Sequence, residues 1–248
     1  YQVTVAKQEI VISLSDIPST MRSKLFGDND LERFIFTKSM FTGDYAQTAY
    51  LELFREIGEN QGVYKFNRAV VLDSTYAVVD DNFIARLDET AVYTIEKADI
   101  TVTVTFEDDT IAKVYDKVAP QFRLEYRLDN EWYVYIDNNQ YTKLLLSYEY
   151  ADGSEASLQD RFKELVLENM TLTTSVFEAD TYAKEDMLLS GEGNFSSYKL
   201  EGGFVINKRL LTFEDVNPIY KEFDRTNVIT KTDARFTNVV EGDEVYIT

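Results

Sequence analysis

Between residues 99 and 150 the chain alternates apolar and polar side chains with a period of two, and this pattern restricts its fold more than any other feature. Ile100, Val102, Val104 and Phe106 fall on one face of an extended segment, and Thr101, Thr103 and Thr105 fall on the other. Residues 121–128 repeat the pattern, with Phe122, Leu124, Tyr126 and Leu128 on one face and Gln121, Arg123, Glu125 and Arg127 on the other. Segments 132–136 and 143–150 continue it, the second with Leu144, Leu146, Tyr148 and Tyr150 together. A helix would scatter each of these sets around its axis, so they read as half-buried strands. Acid- and Asn-rich turns lie between them: Glu107-Asp108-Asp109, Asp129-Asn130-Glu131 and Asp137-Asn138-Asn139. The spacing predicts an antiparallel meander from about residue 91 to residue 150.

One register follows from the same rule, because a slip of one residue sends every side chain to the opposite face. A two-residue loop at Asp129-Asn130 would set Arg127 against Trp132 and Glu125 against Val134. A three-residue loop, Asp129-Asn130-Glu131, with one left-handed residue pairs Leu128 with Trp132, Tyr126 with Val134 and Leu124 with Ile136. The inner face is then wholly apolar. The outer face sets Arg123, Glu125 and Arg127 beside Tyr133, Tyr135 and Asp137.

Helical spacing is confined to a few places. Tyr50, Leu53, Phe54 and Ile57 predict a helix over 44–60, ended by Gly58 or Gly62. Leu31, Phe34 and Ile35 predict a second over 31–41, capped by Asp28 or Asp30 and parted from the first by Thr42-Gly43. A third is expected from Ser157, whose run Ser157-Leu158-Gln159-Asp160 resembles a capping box. Residues 212–217 read as a short helical turn before Pro218. Asp-Gly-Ser punctuation at 151–157 marks a boundary. The expected fold class is therefore α+β. An N-terminal strand and helical hairpin pack on an antiparallel β-meander in domain 1–151, and a β-rich C-terminal part led by one helix spans 152–248.

Composition removes whole classes of chemistry. The 248 residues include no cysteine and no histidine. That excludes disulfides, zinc ribbons, iron–sulfur ligation, thiol nucleophiles and every imidazole base within the chain. Asp and Glu number 44 against 25 Lys and Arg, a formal net charge of -19. A protein of this sign without a basic cluster is repelled by nucleic acid and by anionic membranes, and no apolar run approaches the length of a membrane-spanning helix. Lack of cysteine and a start at Tyr1 rather than Met lead us to expect a mature chain located outside the cytoplasm or at a cell surface. Asn169-Met170-Thr171 and Asn194-Phe195-Ser196 are glycosylation sequons if the chain follows a eukaryotic secretory route.

Three kinds of site remain. Oxygen-rich Asp28-Asn29-Asp30-Leu31-Glu32 and Asp137-Asn138-Asn139 have ligand types suited to Ca2+, but neither has the spacing of an EF-hand loop, and no cofactor is expected. A carbohydrate-active hydrolase needs two carboxylates, and Glu125 among tyrosines comes nearest, although Arg123 and Arg127 would lower its pKa. The chain carries 17 Tyr and 16 Phe, and tyrosine suits surfaces that are dry on one side and wet on the other. No catalytic, cofactor-binding or metal-binding residue is assigned. Arg123, Glu125, Arg127, Tyr133 and Tyr135 are expected to form a partner surface for protein, for copies of the chain or for a glycan. The expected function is a non-enzymatic binding or assembly module; the alternatives are the hydrolase and a structural subunit of a virion or surface layer.

Overall fold

The computed structural model describes residues 6–38, 50–79, 83–108, 110–213, 225 and 236–245. Its largest outward-facing element is a sheet whose strands lie in the order Phe122–Tyr126, Trp132–Ile136, Gln140–Tyr150, Ala98–Phe106, Phe195–Glu201. The first four are antiparallel, and the last runs parallel to its neighbour. Alternation sends Val102, Val104, Val134, Ile136 and Leu144 into a fully buried inner face.

The meander forms in part. Residues 122–150 are continuous, but Ala98–Phe106 lies beyond Gln140–Tyr150 and does not pair with the next strand in sequence, and Val92–Glu96 belongs to another sheet. Leu144, Leu146 and Tyr148 face Phe106, Val104 and Val102 across the ladder, so the long alternating segments match apolar to apolar. Ala112–Val114 is too short to offer this; it pairs in parallel with Phe204–Asn207.

The 122–136 hairpin has the expected faces but turns one residue earlier than expected. Tyr126 pairs with Trp132, Leu124 with Val134 and Phe122 with Ile136. The loop is Leu128-Asp129-Asn130, closed by Arg127 N–H donating to Glu131 O at 3.0 Å. Asn130 takes the left-handed position with φ 64°. The expected loop would have placed Glu131 there, at greater backbone cost than Asn. Leu128 is consequently left in solvent.

The α+β assignment is overturned: the molecule is mostly β, with nineteen strands and four short 3₁₀ helices among the described residues. Where the helical hairpin was expected, Phe34–Phe36 and Tyr50–Arg55 form antiparallel strands; residues 39–49 lie outside the described part. The period-two pairs decide it. Phe34 with Phe36 and Leu51 with Leu53 are all buried, whereas Phe54 and Ile57 of the supposed helical stripe are exposed. Glu52, buried between the two leucines, is satisfied by a forked Arg33, whose Nε and Nη2 donate at 2.7 and 2.8 Å. These strands belong to a second five-stranded sheet ordered Ser23–Leu25, Val92–Glu96, Gly62–Leu72, Tyr50–Arg55, Phe34–Phe36.

The helix expected from Ser157 shrinks to a six-residue 3₁₀ helix, Asp160–Leu165, which starts after Gln159 and has no side-chain cap. Thr212–Phe213 is a strand paired with Phe236–Thr237, not a helical turn; 214–217 lie outside the described residues. Phe26 meets Phe162 and Phe195 edge-on at 5.3 and 5.2 Å, and Trp132 Nε1 donates to Lys163 O at 2.8 Å. Strand pairing and core packing therefore both cross residue 151.

Candidate functional site

All five residues expected to form the partner surface come together on the outward face of the large sheet. Arg123 is the direct cross-strand partner of Tyr135, and Glu125 of Tyr133. Pleating turns these side chains away from the core occupied by Phe122, Leu124, Val134 and Ile136. The Arg123 guanidinium lies 4.0 Å from the Tyr135 ring centroid. Arg127, just past the end of its strand, reaches back over Tyr133 at 4.0 Å and Tyr141 at 4.4 Å. Each such contact stabilises an exposed pair by about 0.5–1 kcal/mol.

Hydrogen bonds hold the rings in place. Arg123 Nη1 donates to Glu125 Oε2, Arg127 Nη2 to the Tyr135 hydroxyl, and Arg123 Nε to Asn138 Oδ1 at 3.1 Å. The Tyr133 hydroxyl donates to Asp129 Oδ2 at 2.7 Å. The hydrogen bond from Arg123, aided by its charge and by Arg127, holds the Glu125 carboxyl below the usual carboxylate range. The Tyr133–Asp129 bond pushes the phenol up and the Asp129 carboxyl down. Glu125 is therefore held in its charged form, the opposite of what a general acid needs.

The sequence reading missed Tyr141, the cross-strand neighbour of Tyr135 and 55% exposed. Extending the alternation of 143–150 upstream by two residues would have found it. Lys143, opposite Tyr133, pairs with Glu131 at 3.1 Å.

In each of the two oxygen-rich loops one carboxylate is ion-paired. Asp30 Oδ1 sits 2.9 Å from Lys24 Nζ, and its Oδ2 accepts from Arg55 Nη2 at 2.6 Å. Asp137 pairs with buried Lys113 at 3.0 Å and accepts the Gln121 N–H at 2.9 Å, while Asp137 and Asn138 both take positive φ to form a tight turn. Of the two sequons, Asn194 is 3% exposed, and its amide donates to Asn60 Oδ1 and Leu165 O, both at 2.8 Å. Folding closes it to modification, whereas Asn169 is exposed. A cleft of about 640 Å3 lies beside the edge strand Phe122–Tyr126, with Leu165, Met170 and Leu172 on its other wall. Its charged lining groups are Arg123, Glu164 and Glu168.

No family model, curated protein or solved structure matches the chain. Among the described residues no helix is long and apolar enough to cross a membrane.

Proposed function

We propose that the chain is a non-enzymatic binding or assembly module that meets a protein partner, or further copies of itself, through Arg123, Glu125, Arg127, Tyr133 and Tyr135, joined by Tyr141. One observation carries this reading: outward tyrosines lie clamped under guanidinium groups that are themselves hydrogen-bonded. Docking on rings already held in place loses little side-chain entropy, and Tyr and Arg are the residue types that dominate binding hot spots. Export or surface exposure is part of the same proposal, supported by the cysteine-free composition; fractionation of the source cells tests it.

The test of the surface is Tyr133→Ala with Tyr135→Ala. The variant is expected to remain folded by circular dichroism and to weaken partner or self-association about tenfold or more, the effect of losing one or two hot-spot side chains. A folded double variant with every association unchanged would end the proposal.

A further inference from the structure

The large sheet stops at Phe122–Tyr126 with one side of that strand unpaired. Its ladder runs only to Trp132–Ile136, and Met170–Thr174, across the cleft, pairs with Met187–Gly191 instead. Asp137 N–H donates to Gln121 O and Arg127 N–H to Glu131 O, so the odd-numbered residues of 121–127 turn their backbone groups into the sheet. Phe122, Leu124 and Tyr126 therefore turn their N–H and C=O groups outward along the edge, and none of these groups has a partner among the described residues. Their side chains are also incompletely covered. Val134 and Ile136, one strand further in, are at most 1% exposed, whereas Phe122, Leu124 and Tyr126 are half-buried and line the cleft.

We infer that this edge accepts an extended segment of a partner protein as an added strand, and that the segment alternates basic with apolar residues. A strand about 4.8 Å from Phe122–Tyr126 satisfies the open backbone groups, and every second side chain falls in the cleft beside Leu124, Met170 and Leu172. Charge selects the polar residues. Of the charged groups lining the cleft, Arg123 is hydrogen-bonded to Glu125, which leaves the exposed Glu164 and Glu168 without a cation among the described residues. Neighbouring charges do not alter this. Lys163 pairs with Asp160 and Lys143 with Glu131, while Arg127 and Asp129 add one charge of each sign at the turn. The surplus is negative, so lysine or arginine in the segment gains and aspartate or glutamate loses. A volume of about 640 Å3 lies within the roughly 300–1,000 Å3 of ligand sites. Tyr133 and Tyr135 project from the opposite face of the sheet, so this site is separate from the tyrosine surface.

Trp132 is the single tryptophan of the chain and lines the cleft, so its fluorescence reports occupancy. Titrating the full chain with a short capped peptide of alternating Lys and Val is expected to shift that emission saturably. The matching peptide of Glu and Val is expected to leave it unchanged. Bound Lys peptide should slow amide exchange at Phe122, Leu124 and Tyr126, which marks strand addition and not charge attraction alone. Glu164→Lys with Glu168→Lys, both at exposed positions, should stay folded and weaken the Lys peptide about tenfold or more. Tyr133→Ala with Tyr135→Ala should leave its affinity unchanged. No saturable response to the Lys peptide, equal binding of the Glu peptide, unslowed amides at these positions or indifference to the charge reversal each overturns the inference. Loss of the Lys peptide in the tyrosine variant overturns it as well, because binding then belongs to the other face.

Discussion

Asn194 shows how much one side chain can tie together. Its carboxamide oxygen accepts the Gln61 N–H at 2.6 Å, its amide donates to Asn60 Oδ1 and Leu165 O, and its own carbonyl receives the Ala98 N–H at 3.0 Å. Asn194→Ala leaves half-buried partner groups without a hydrogen bond, so a loss of about 1–3 kcal/mol is expected in denaturant melts. Asp30 supplies a pH dependence. Burial alone would raise its carboxyl, but hydrogen bonds from Lys24 and then Arg55, with their charges, outweigh burial and hold it below the usual value. A lowered folded pKa contributes stability above the unfolded carboxylate pKa of about 3.9, and this is lost as pH falls through the folded value. Thermal melts between neutral pH and pH 2 should show a shallower acid limb for Asp30→Asn than for the parent chain. Neither network was legible beforehand. Asn60 and Asn194, or Asp30 and Arg55, are far apart in sequence, and nothing in the local pattern of either announces the other.

At the scale of elements, the 122–136 hairpin separates what periodicity can say from what it cannot. Which residues face the core follows from alternation, and the faces of Arg123, Glu125, Tyr133 and Tyr135 were readable for that reason. The turn position depends on which residue best tolerates the left-handed conformation, and Asn130 outweighs burial of Leu128. Leu128→Lys is therefore expected to change stability by no more than about 0.5 kcal/mol in a denaturant melt. The register with Leu128 against Trp132 would require a loss of several times that. Segments 34–36 and 50–55 misled the reading because their apolar residues satisfy both periods. Tyr50, Leu53 and Phe54 make a helical stripe, while Leu51 and Leu53 make a strand face, and a short run offers no local means of choosing.

For the whole molecule, the parallel ladder between Ala98–Phe106 and Phe195–Glu201 makes the C-terminal part a structural component of the N-terminal sheet. A fragment ending at Ala151 lacks Phe162, Val166, Leu167 and Phe195, all buried in the shared core. We expect it to lose the cooperative melt of the full chain, which should unfold in one transition followed by near- and far-ultraviolet circular dichroism. A fragment that melts cooperatively by itself would support a domain boundary at 151–157 instead. What the amino-acid order determined alone is everything carried by nearest neighbours along the chain: the excluded chemistries, the strand character of 99–150 and the outward tyrosine and arginine set. Tertiary structure alone decided that the C-terminal strand 195–201 lies beside 98–106 and that 34–36 and 50–55 extend instead of coiling. The physical reason is that strand pairing stabilises residues distant in sequence, so an extended segment is chosen by the neighbour it meets and not by its own period.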